Sequence, residues 1–375
     1  MNEPLSIFSF FSGAGFLDLG FEEAGYKVVF VNELHKPFLE TYRYARKGMG
    51  IEEPKYSYFP GDINQLRLSD QREDMERIIN QERHDGQIIG FIGGPPCPDF
   101  SVGGKNRGHK GDHGKLTASY FNLICEQQPD FFLFENVKGL WRTKKHRAFY
   151  EEMKDVANNA GYVLAERLIN AIEYGVPQDR ERIILVGFRR QILVERGICV
   201  EAEAAYIKDF PWENHIKYHA SDIFSLPWPA TTEFSSNSTL TCPEGIPKEL
   251  TAEYWFRLNN VEQHPNAKHC FQPRAGLARF ETVDEGDDSK KSYKRLHRWR
   301  YSPTACYGNN EVHLHPYKPR RISVAEALAM QSLPANYIVP ENLSLSNMFK
   351  TIGNGVPFLA AKGIAETILD FVRKR

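Results

Sequence analysis

The chain has 375 residues, and its 47 lysines and arginines against 48 aspartates and glutamates give a formal net charge of -1. This balance excludes attraction to nucleic acid by total charge, so such a partner would need a local basic patch. Six cysteines without a CxxC pair argue against a zinc site and a disulfide framework. They predict no metal and a reducing, cytoplasmic location.

Short apolar runs alternate with helical patterns through the first half of the chain. This alternation predicts βαβ units and an α/β fold with a parallel sheet. Strands are predicted at 7–11, 27–31, 88–92, 131–134 and 183–188, with a helix at about 16–24 after the first strand. No apolar run approaches the length of a membrane span, and the start lacks the basic segment of a signal peptide. We therefore expect no membrane association.

The first predicted strand ends in the turn FSGAG, whose Gly13 and Gly15 allow a ligand to approach the backbone at a helix N-terminus. Glu33 follows the second strand, where a carboxylate can bond ribose hydroxyls. The third glycine of the dinucleotide motif is replaced by Asp18, which favours an adenosyl cofactor such as S-adenosylmethionine. The alternative is a tight turn without a ligand. Asp62 in GDIN could reach an adenine amino group, although a plain Asp turn is the better interpretation of that stretch alone.

The stretch GGPPCPDFS follows the apolar run 88–92 and contains Cys97 among three prolines. A buried structural cysteine needs no such rigid backbone, so Cys97 is a candidate nucleophile. The glycine-rich basic stretch 101–115 follows it directly and is typical of a lid that closes over a polyanion. A disordered surface loop is the alternative.

Two further stretches place charged groups at strand ends. Glu135 ends a nearly all-apolar strand, where partial desolvation would raise its pKa and suit it to proton donation. In QDRER, Arg180 and Arg182 share one face of a strand entrance and could hold a phosphate, a carboxylate or a carbonyl oxygen. A helix cap or surface ion pair is the alternative for Glu135, and a solvated strand end is the alternative for the arginines.

The βαβ rhythm is lost at about residue 190 and returns after about residue 301. We interpret 1–189 as a catalytic, cofactor-binding domain, 190–301 as a smaller irregular domain and 302–375 as a return to the first, whose last helix packs on the sheet. One elaborated domain is the alternative. Ser323 and Glu326 predict a capping box at the start of a helix. The run 290–300 is basic and interleaved with aromatics, which favours nucleic acid over a merely solvated face.

Together these motifs resemble the cytosine-C5 DNA methyltransferase family of bacterial restriction-modification type. FSGAG, GGPPC with DFS, ENV, QDRER, RRISVAEALAMQSLP and IGNGVP occur in the family's order. The resemblance implies a Rossmann-like S-adenosylmethionine-dependent sheet, with Cys97 as nucleophile, Glu135 as acid, Arg180 and Arg182 positioning the base and backbone, and 190–301 recognising the target. It also implies that the cofactor is lined by Phe11, Gly13, Gly15, Glu33, Asp62, Ile63 and Asn354. The DNA contacts that we expect are Ser101, Lys105, Arg107, Lys290, Lys291, Lys294, Arg295, Arg298 and Arg300.

The activity implied is methyl transfer to C5 of a flipped-out cytosine in a specific duplex DNA sequence, through a covalent bond between Cys97 and C6. Double-stranded DNA is the expected partner of a monomeric enzyme, with a cognate restriction endonuclease acting separately. Two positions depart from the family pattern: Phe16 where a glycine is frequent, and Pro98 where glutamine is usual. Three other functions remain open: the same chemistry on RNA, a catalytically idle DNA-binding regulator, and a cysteine hydrolase. The last lacks an evident histidine partner.

Overall fold

The computed structural model describes residues 5–96, 112–198, 200–273, 277–307 and 311–373. Its centre is a seven-stranded sheet with the strand order β3-β2-β1-β4-β5-β7-β6. The five strands predicted from the sequence are all present, and two shorter or more polar ones join them. The strands are β1 (Leu5–Phe10), β2 (Lys27–Asn32), β3 (Tyr58–Phe59), β4 (Ile88–Gly93), β5 (Phe131–Val137), β6 (Tyr162–Asn170) and β7 (Glu181–Arg189).

Strands β1 to β5 are parallel to one another, whereas β7 is antiparallel to both β5 and β6. The parallel sheet that the βαβ pattern predicts is present in β1 to β5, and β7 departs from it. Only residues 171–180 separate β6 from β7, and part of that link is a short 3-10 helix, Ala171–Tyr174. A parallel crossover needs a dozen or more residues, so this short link forces the antiparallel pairing.

Helices cover both faces of the sheet. One apolar cluster joins one face to α1, α2 and α13, and a second joins the other face to α3, α4 and α6. The helices are α1 (Phe16–Glu23), α2 (Lys36–Gly48), α3 (Ser69–His84), α4 (Asp112–Gln127), α5 (Lys138–Arg142), α6 (Lys144–Asn159), α7 (Arg190–Glu195), α8 (Ala220–Ser225), α9 (Ala252–Leu258), α10 (Leu277–Thr282), α11 (Val324–Met330), α12 (Leu345–Asn354) and α13 (Phe358–Arg373). No helix within the described ranges is both long and apolar enough to span a bilayer.

The central strand β1 shows why the sheet lies between two layers. Ile7 contributes to one apolar cluster and Phe8 to the other, since neighbouring side chains of a strand point to opposite faces. All six residues of β1 are buried, as expected of a parallel strand covered on both sides.

The predicted capping box is confirmed at the start of α11. Ser323 Oγ accepts from the Glu326 main-chain N–H at 3.2 Å, and the Glu326 carboxylate accepts from the Ser323 N–H at 2.7 Å. Helix α13 packs closely on α1, because a Cβ on Gly20 would lie 2.5 Å from Cβ of Ala361. The side chains of α13 belong to the apolar cluster on one face of the sheet.

The segment between residues 190 and 301 adds no strand to the sheet in its described part and forms only short helices, α7 to α10. Its apolar residues pack on the rest of the chain. Phe210 joins the sheet cluster, whereas Trp255 and Leu296 share a third cluster with Phe16 of α1 and with α11. The division at residues 190 and 301 stays a prediction.

Candidate functional site

Strands β1 to β5 run in the same direction, so their carboxyl ends meet at one edge of the sheet. The FSGAG turn follows β1, Glu33 follows β2, Asp62 follows β3 and Glu135 lies near the end of β5. Open α/β sheets bind ligands outside this edge. The chain leaves β4 at Gly93, four residues before Cys97. Cys97 itself lies outside the described residues, as do Pro98, Ser101, Lys105 and Arg107.

The FSGAG turn is held in an unusual backbone conformation. Phe11, Gly13 and Gly15 have φ values of 52°, 58° and 80°. A non-glycine residue at positive φ is uncommon and is strained, as residues near ligands often are. The Gly13 N–H donates to the Glu33 carboxylate at 2.8 Å, and a Cβ on Gly13 would meet nothing within 4 Å. The turn is therefore fixed by the Glu33 carboxylate at the Gly13 N–H and is open at the position that a Gly13 side chain would occupy.

Buried polar groups support the FSGAG turn from the protein interior. The Asp18 carboxylate accepts from Ser9 Oγ at 2.7 Å and from the Tyr42 hydroxyl at 2.8 Å. The Tyr42 ring lies against the turn, because a Cβ on Gly15 would fall 2.6 Å from that ring. Asp18 is fully buried, and the loss of solvation raises its pKa to about 6 despite the nearby Arg46. The missing third glycine is thus a carboxylate that braces the turn, a role that the sequence did not reveal.

Phe16 also has a structural explanation. It is buried, and its ring meets the Tyr337 ring edge-on at a centroid distance of 5.2 Å. A Cβ on Gly355 would lie 2.1 Å from the Phe16 ring. The larger residue is accommodated because the facing position has no side chain. The Tyr337 hydroxyl also donates to the Ala14 carbonyl at 2.7 Å, which ties the turn to the C-terminal part of the chain.

The second cofactor stretch forms a cap. Asp62 Oδ1 accepts from the Asn64 N–H at 2.8 Å at the start of the 3-10 helix Ile63–Arg67. The side chain of Asn32 donates to the Gly61 carbonyl at 2.8 Å and holds this loop against β2. The Ile63 side chain is buried in one of the apolar clusters of the sheet.

Three further residues bear on this part of the edge. Glu33 is buried, which raises the pKa of its carboxyl despite the main-chain donors His35 and Gly13. Leu34, next in sequence, is 60% exposed and belongs to none of the motifs found in the sequence. The only sequence signal for Leu34 was its position as an apolar residue directly after Glu33, the acid at the end of the second strand. Asn354 is the exposed last residue of α12.

Glu135 and Arg182 form an ion pair that the strand register brings about. Arg182 pairs with Val137 across the β5–β7 ladder, so it lies on the same face as Glu135, two residues away. Its Nε is 2.9 Å from Glu135 Oε1. Burial raises the pKa of the Glu135 carboxyl, and the charges of Arg182 and Arg180 oppose this only in part. A Cβ on Gly94 would lie 2.8 Å from Glu135 Oε2. The chain leading to Cys97 therefore passes directly over the carboxyl group.

Arg180 takes a different position from the one predicted. It is fully buried, and its guanidinium donates to the main-chain carbonyls of Ala305, Gly353 and Gly355 at 3.0, 2.9 and 3.1 Å. Burial lowers the pKa of Arg180, with the like charge of Arg182 adding to the effect. The guanidinium thus ties the start of β7 to main-chain carbonyls of the C-terminal return, whereas the sequence predicted that it shares a ligand-holding strand entrance with Arg182.

The predicted basic run 290–300 divides into two groups. Arg295 is buried and donates to the carbonyls of Val283 at 2.7 Å and His315 at 2.5 Å, and Arg298 is buried in an ion pair with Glu285 at 2.6 Å. The prediction that these two arginines contact DNA is wrong, because their donors are already used inside the protein. The second group is exposed or half-buried and consists of Lys290, Lys291, Lys294 and Arg300.

Comparison with known proteins identifies relatives along the whole chain. The model of the family described as C-5 cytosine-specific DNA methylase matches residues 5–370. Type II methyltransferase M.NmeDI of Neisseria meningitidis serogroup C is 58% identical over 366 residues, which cover 98% of this chain and 84% of the relative. Type II methyltransferase M.MthTI of Methanothermobacter thermautotrophicus is 36% identical, with 97% of each chain covered.

Solved structures share the fold at low sequence identity. A DNA modification methyltransferase encoded within an E. coli prophage superposes with a TM-score of 0.66 at 21% identity, covering 98% of this chain and 99% of its own. The Dnmt2 methyltransferase of S. pombe gives a TM-score of 0.58 at 13% identity, with 99% and 98% covered.

Proposed function

The chain belongs to the C-5 cytosine-specific DNA methylase family, and we propose that Cys97 and Glu135 carry out its methyl transfer on a cytosine flipped out of a specific duplex DNA sequence. The methyl donor in this proposal is S-adenosylmethionine. The observation that carries the proposal is the buried Glu135–Arg182 pair beneath the chain that leads from β4 to Cys97.

Cys97 would act as the nucleophile. C5 of cytosine is a weak nucleophile toward a methyl sulfonium, and addition of the Cys97 thiolate to C6 makes C5 enamine-like. C5 then takes the methyl group, and its proton leaves to a base or water. Elimination of the thiolate from C6 restores the aromatic ring and the free enzyme.

Glu135 and Arg182 would stabilise the charge that this addition creates. Thiolate addition to C6 pushes negative charge onto N3 and O2 of the cytosine. A carboxyl group whose pKa is raised by burial retains its proton at higher pH than an ordinary glutamate, so Glu135 can donate to N3. Arg182 would hold Glu135 in place and reach toward O2.

The groups at the ends of β1, β2 and β3 fit S-adenosylmethionine, which supplies the methyl group when it is bound. Gly13 leaves open space beside its backbone, and the buried Glu33 carboxylate is fixed by two main-chain donors. Its remaining lone pairs suit ribose hydroxyls. Asp62 would accept from the adenine amino group, and Leu34 offers an exposed apolar surface to the ring. Phe11, Gly15, Ile63 and Asn354 complete the proposed lining.

The target base must leave the duplex in this mechanism. Glu135 is only 9% exposed, and a stacked base cannot reach a group so enclosed. In our proposal residues 190–301 recognise the target sequence, and Lys290, Lys291, Lys294 and Arg300 contact phosphates. Lys105 and Arg107 follow Cys97 in sequence and would close over the DNA. The enzyme would act as a cytoplasmic monomer, beside a separate cognate endonuclease.

The test is methyl transfer from labelled S-adenosylmethionine to duplex DNA and, in parallel, to tRNA. We expect label in cytosine C5 of the duplex with the wild-type protein, a loss of about 100-fold or more for Glu135→Gln, and no transfer for Cys97→Ala. Both variants should still bind the duplex. Near-normal transfer by Cys97→Ala would refute the proposed chemistry, and label in tRNA alone would refute the substrate.

A further inference from the structure

A second basic surface follows the carboxyl end of β5 along the chain, outside the run 290–300. The sequence KGLWRTKKHR at 138–147 contains five lysines and arginines and no acid. Arg142, Lys144 and Lys145 are exposed at the junction of α5 and α6. We call these three residues the α5–α6 basic cluster.

The cluster lies close to the proposed reaction centre. Glu135 lies near the carboxyl end of β5, and the five-residue helix α5 follows that strand directly. At about 3.3 Å per strand residue and about 1.5 Å per helical residue, Arg142 can lie no more than roughly 16 Å along the chain from Glu135. That distance spans about five steps of a DNA strand at roughly 3.4 Å each.

Other basic residues of the segment are already paired. Lys138 forms an ion pair with Glu181. Arg147 stacks over the Trp141 ring at 4.5 Å and lies 3.6 Å from Glu151. By contrast, no described contact pairs the cluster with an acidic residue.

Neighbouring carboxylates do not neutralise the cluster either. On α4 and on the strands that pack against α5 and α6, the described glutamates have cations of their own in four ion pairs: Glu135–Arg182, Glu181–Lys138, Glu166–Lys154 and Glu126–Arg67. The first turn of α6 contains no acid, although the positive end of the helix dipole favours acids there and disfavours cations. The placement of Lys144 and Lys145 at this helix end therefore lowers the stability of the fold, and no described contact within the protein offsets the loss.

We propose that the α5–α6 basic cluster binds DNA phosphates near the flipped cytosine, with Arg142 within about five base pairs of it, on the flank of the recognised sequence. The proposal rests on the proposed function, since it takes the partner at this edge to be duplex DNA. Charge complementarity and the short distance to Glu135 favour DNA over an acidic protein surface. Phosphate contacts position the duplex and carry no sequence information, so the cluster acts on every sequence alike.

The test compares Lys144→Ala/Lys145→Ala with Lys27→Ala/Lys47→Ala by fluorescence anisotropy on labelled duplexes over a range of salt. Lys27 is an exposed residue at the start of β2, at the opposite edge of the sheet, and Lys47 is an exposed residue near the end of α2. We expect the first pair to weaken binding to target and unrelated duplexes by the same factor. It should lower the slope of log K against log salt by about 1 to 2, because each lost phosphate contact contributes about 0.9. The control pair should match the wild type.

Equal affinity and equal salt slope for Lys144→Ala/Lys145→Ala and wild type would overturn the inference. So would a loss confined to the target sequence, which would indicate base recognition. The charge-reversed Lys144→Glu/Lys145→Glu should show a larger loss, and its melting temperature reports on folding. Absence of cytosine methylation by the wild type would refute the proposed function, whereas the binding comparison tests the cluster independently.

Discussion

At the scale of single residues, the site depends on how Glu135 is held. Its Oε1 meets Arg182 Nε at 2.9 Å, whereas its Oε2 faces the backbone of Gly94. The carboxyl group is thus enclosed between a charge and a position that lacks a side chain. Glycine at 94 is needed for this close approach and not for a left-handed backbone, since its φ is not positive.

Gly94→Ala tests this close approach. The added Cβ would lie 2.8 Å from Glu135 Oε2, so the carboxyl group must shift from its position beside Arg182. We expect a drop in kcat of about 100-fold, as for a misplacement of about 1 Å in a catalytic group. Steady-state methyl transfer measures it.

Gly48→Ala is the matched control, because its Cβ would meet nothing within 4 Å and its φ is not positive. It should keep wild-type kcat. Unchanged kcat in Gly94→Ala would show that the position of the Glu135 carboxyl is not critical.

At the scale of elements, the sequence predicted the five strands of strongest apolar character and the positions of the loops at their carboxyl ends. It missed β6, because Glu166 and Arg167 interrupt the apolar run, and β3, which has only two residues. The direction of β7 depends on the length of a link and not on any residue pattern. The capping box at α11 was found because its signal is local to Ser323 and Glu326.

Long-range contacts explain the errors in the basic run. The sequence showed six lysines and arginines in a row of eleven residues but not which donors were already used. The partners of Arg295 and Arg298 lie far along the chain, among them Ser238, Val283 and His315. A buried arginine and an exposed lysine look alike in such a run.

Substitutions in this run should separate stability from binding. Arg295→Lys removes donors to buried carbonyls and should lower the free energy of unfolding by about 2 to 4 kcal/mol, measured by chemical denaturation. Lys290→Ala/Lys291→Ala should leave unfolding unchanged and weaken DNA binding, with a lower salt slope. If both variants are fully folded under the conditions of the binding assay and lose the same DNA affinity, Arg295 contributes to DNA binding and not only to stability, which would contradict our interpretation.

At the scale of the whole molecule, one apolar cluster joins the sheet to α13, and another joins α1 and α2 to α11 and α12. Buried polar groups add further connections to the C-terminal return. Arg180 binds carbonyls of residues 305, 353 and 355, and Tyr337 binds Ala14. Distant parts of the chain thus fix the loops of the site. The sequence showed the motifs in order but could not show these connections, because each joins residues more than a hundred positions apart.

Asp18 should make global stability depend on pH. Its pKa rises from 3.8 to about 6 on folding, so the folded state disfavours its charged form. Its contribution is therefore full below about pH 3.8 and is lost as the pH rises through about 6. Relative to Asp18→Asn, the wild type should lose about 2 kcal/mol of unfolding free energy between about pH 4.5 and about pH 7.5.

Denaturant unfolding at several pH values measures this difference. The Asp18→Asn protein serves as the reference because its side chain is similar in size and cannot ionise. A constant difference between the two proteins across the range would show that Asp18 does not change its protonation state there.

The central claim is that Cys97 forms a covalent bond with the target cytosine. The most direct measurement is incubation with S-adenosylmethionine and a duplex that contains 5-fluorocytosine, followed by peptide mapping of the adduct. Fluorine replaces the C5 proton and cannot leave as a cation, so the thiolate cannot be eliminated and the methylated duplex should remain attached to the peptide that contains Cys97. Methylation of ordinary duplex without any such adduct, or an adduct at another cysteine such as the exposed Cys306, would contradict the claim.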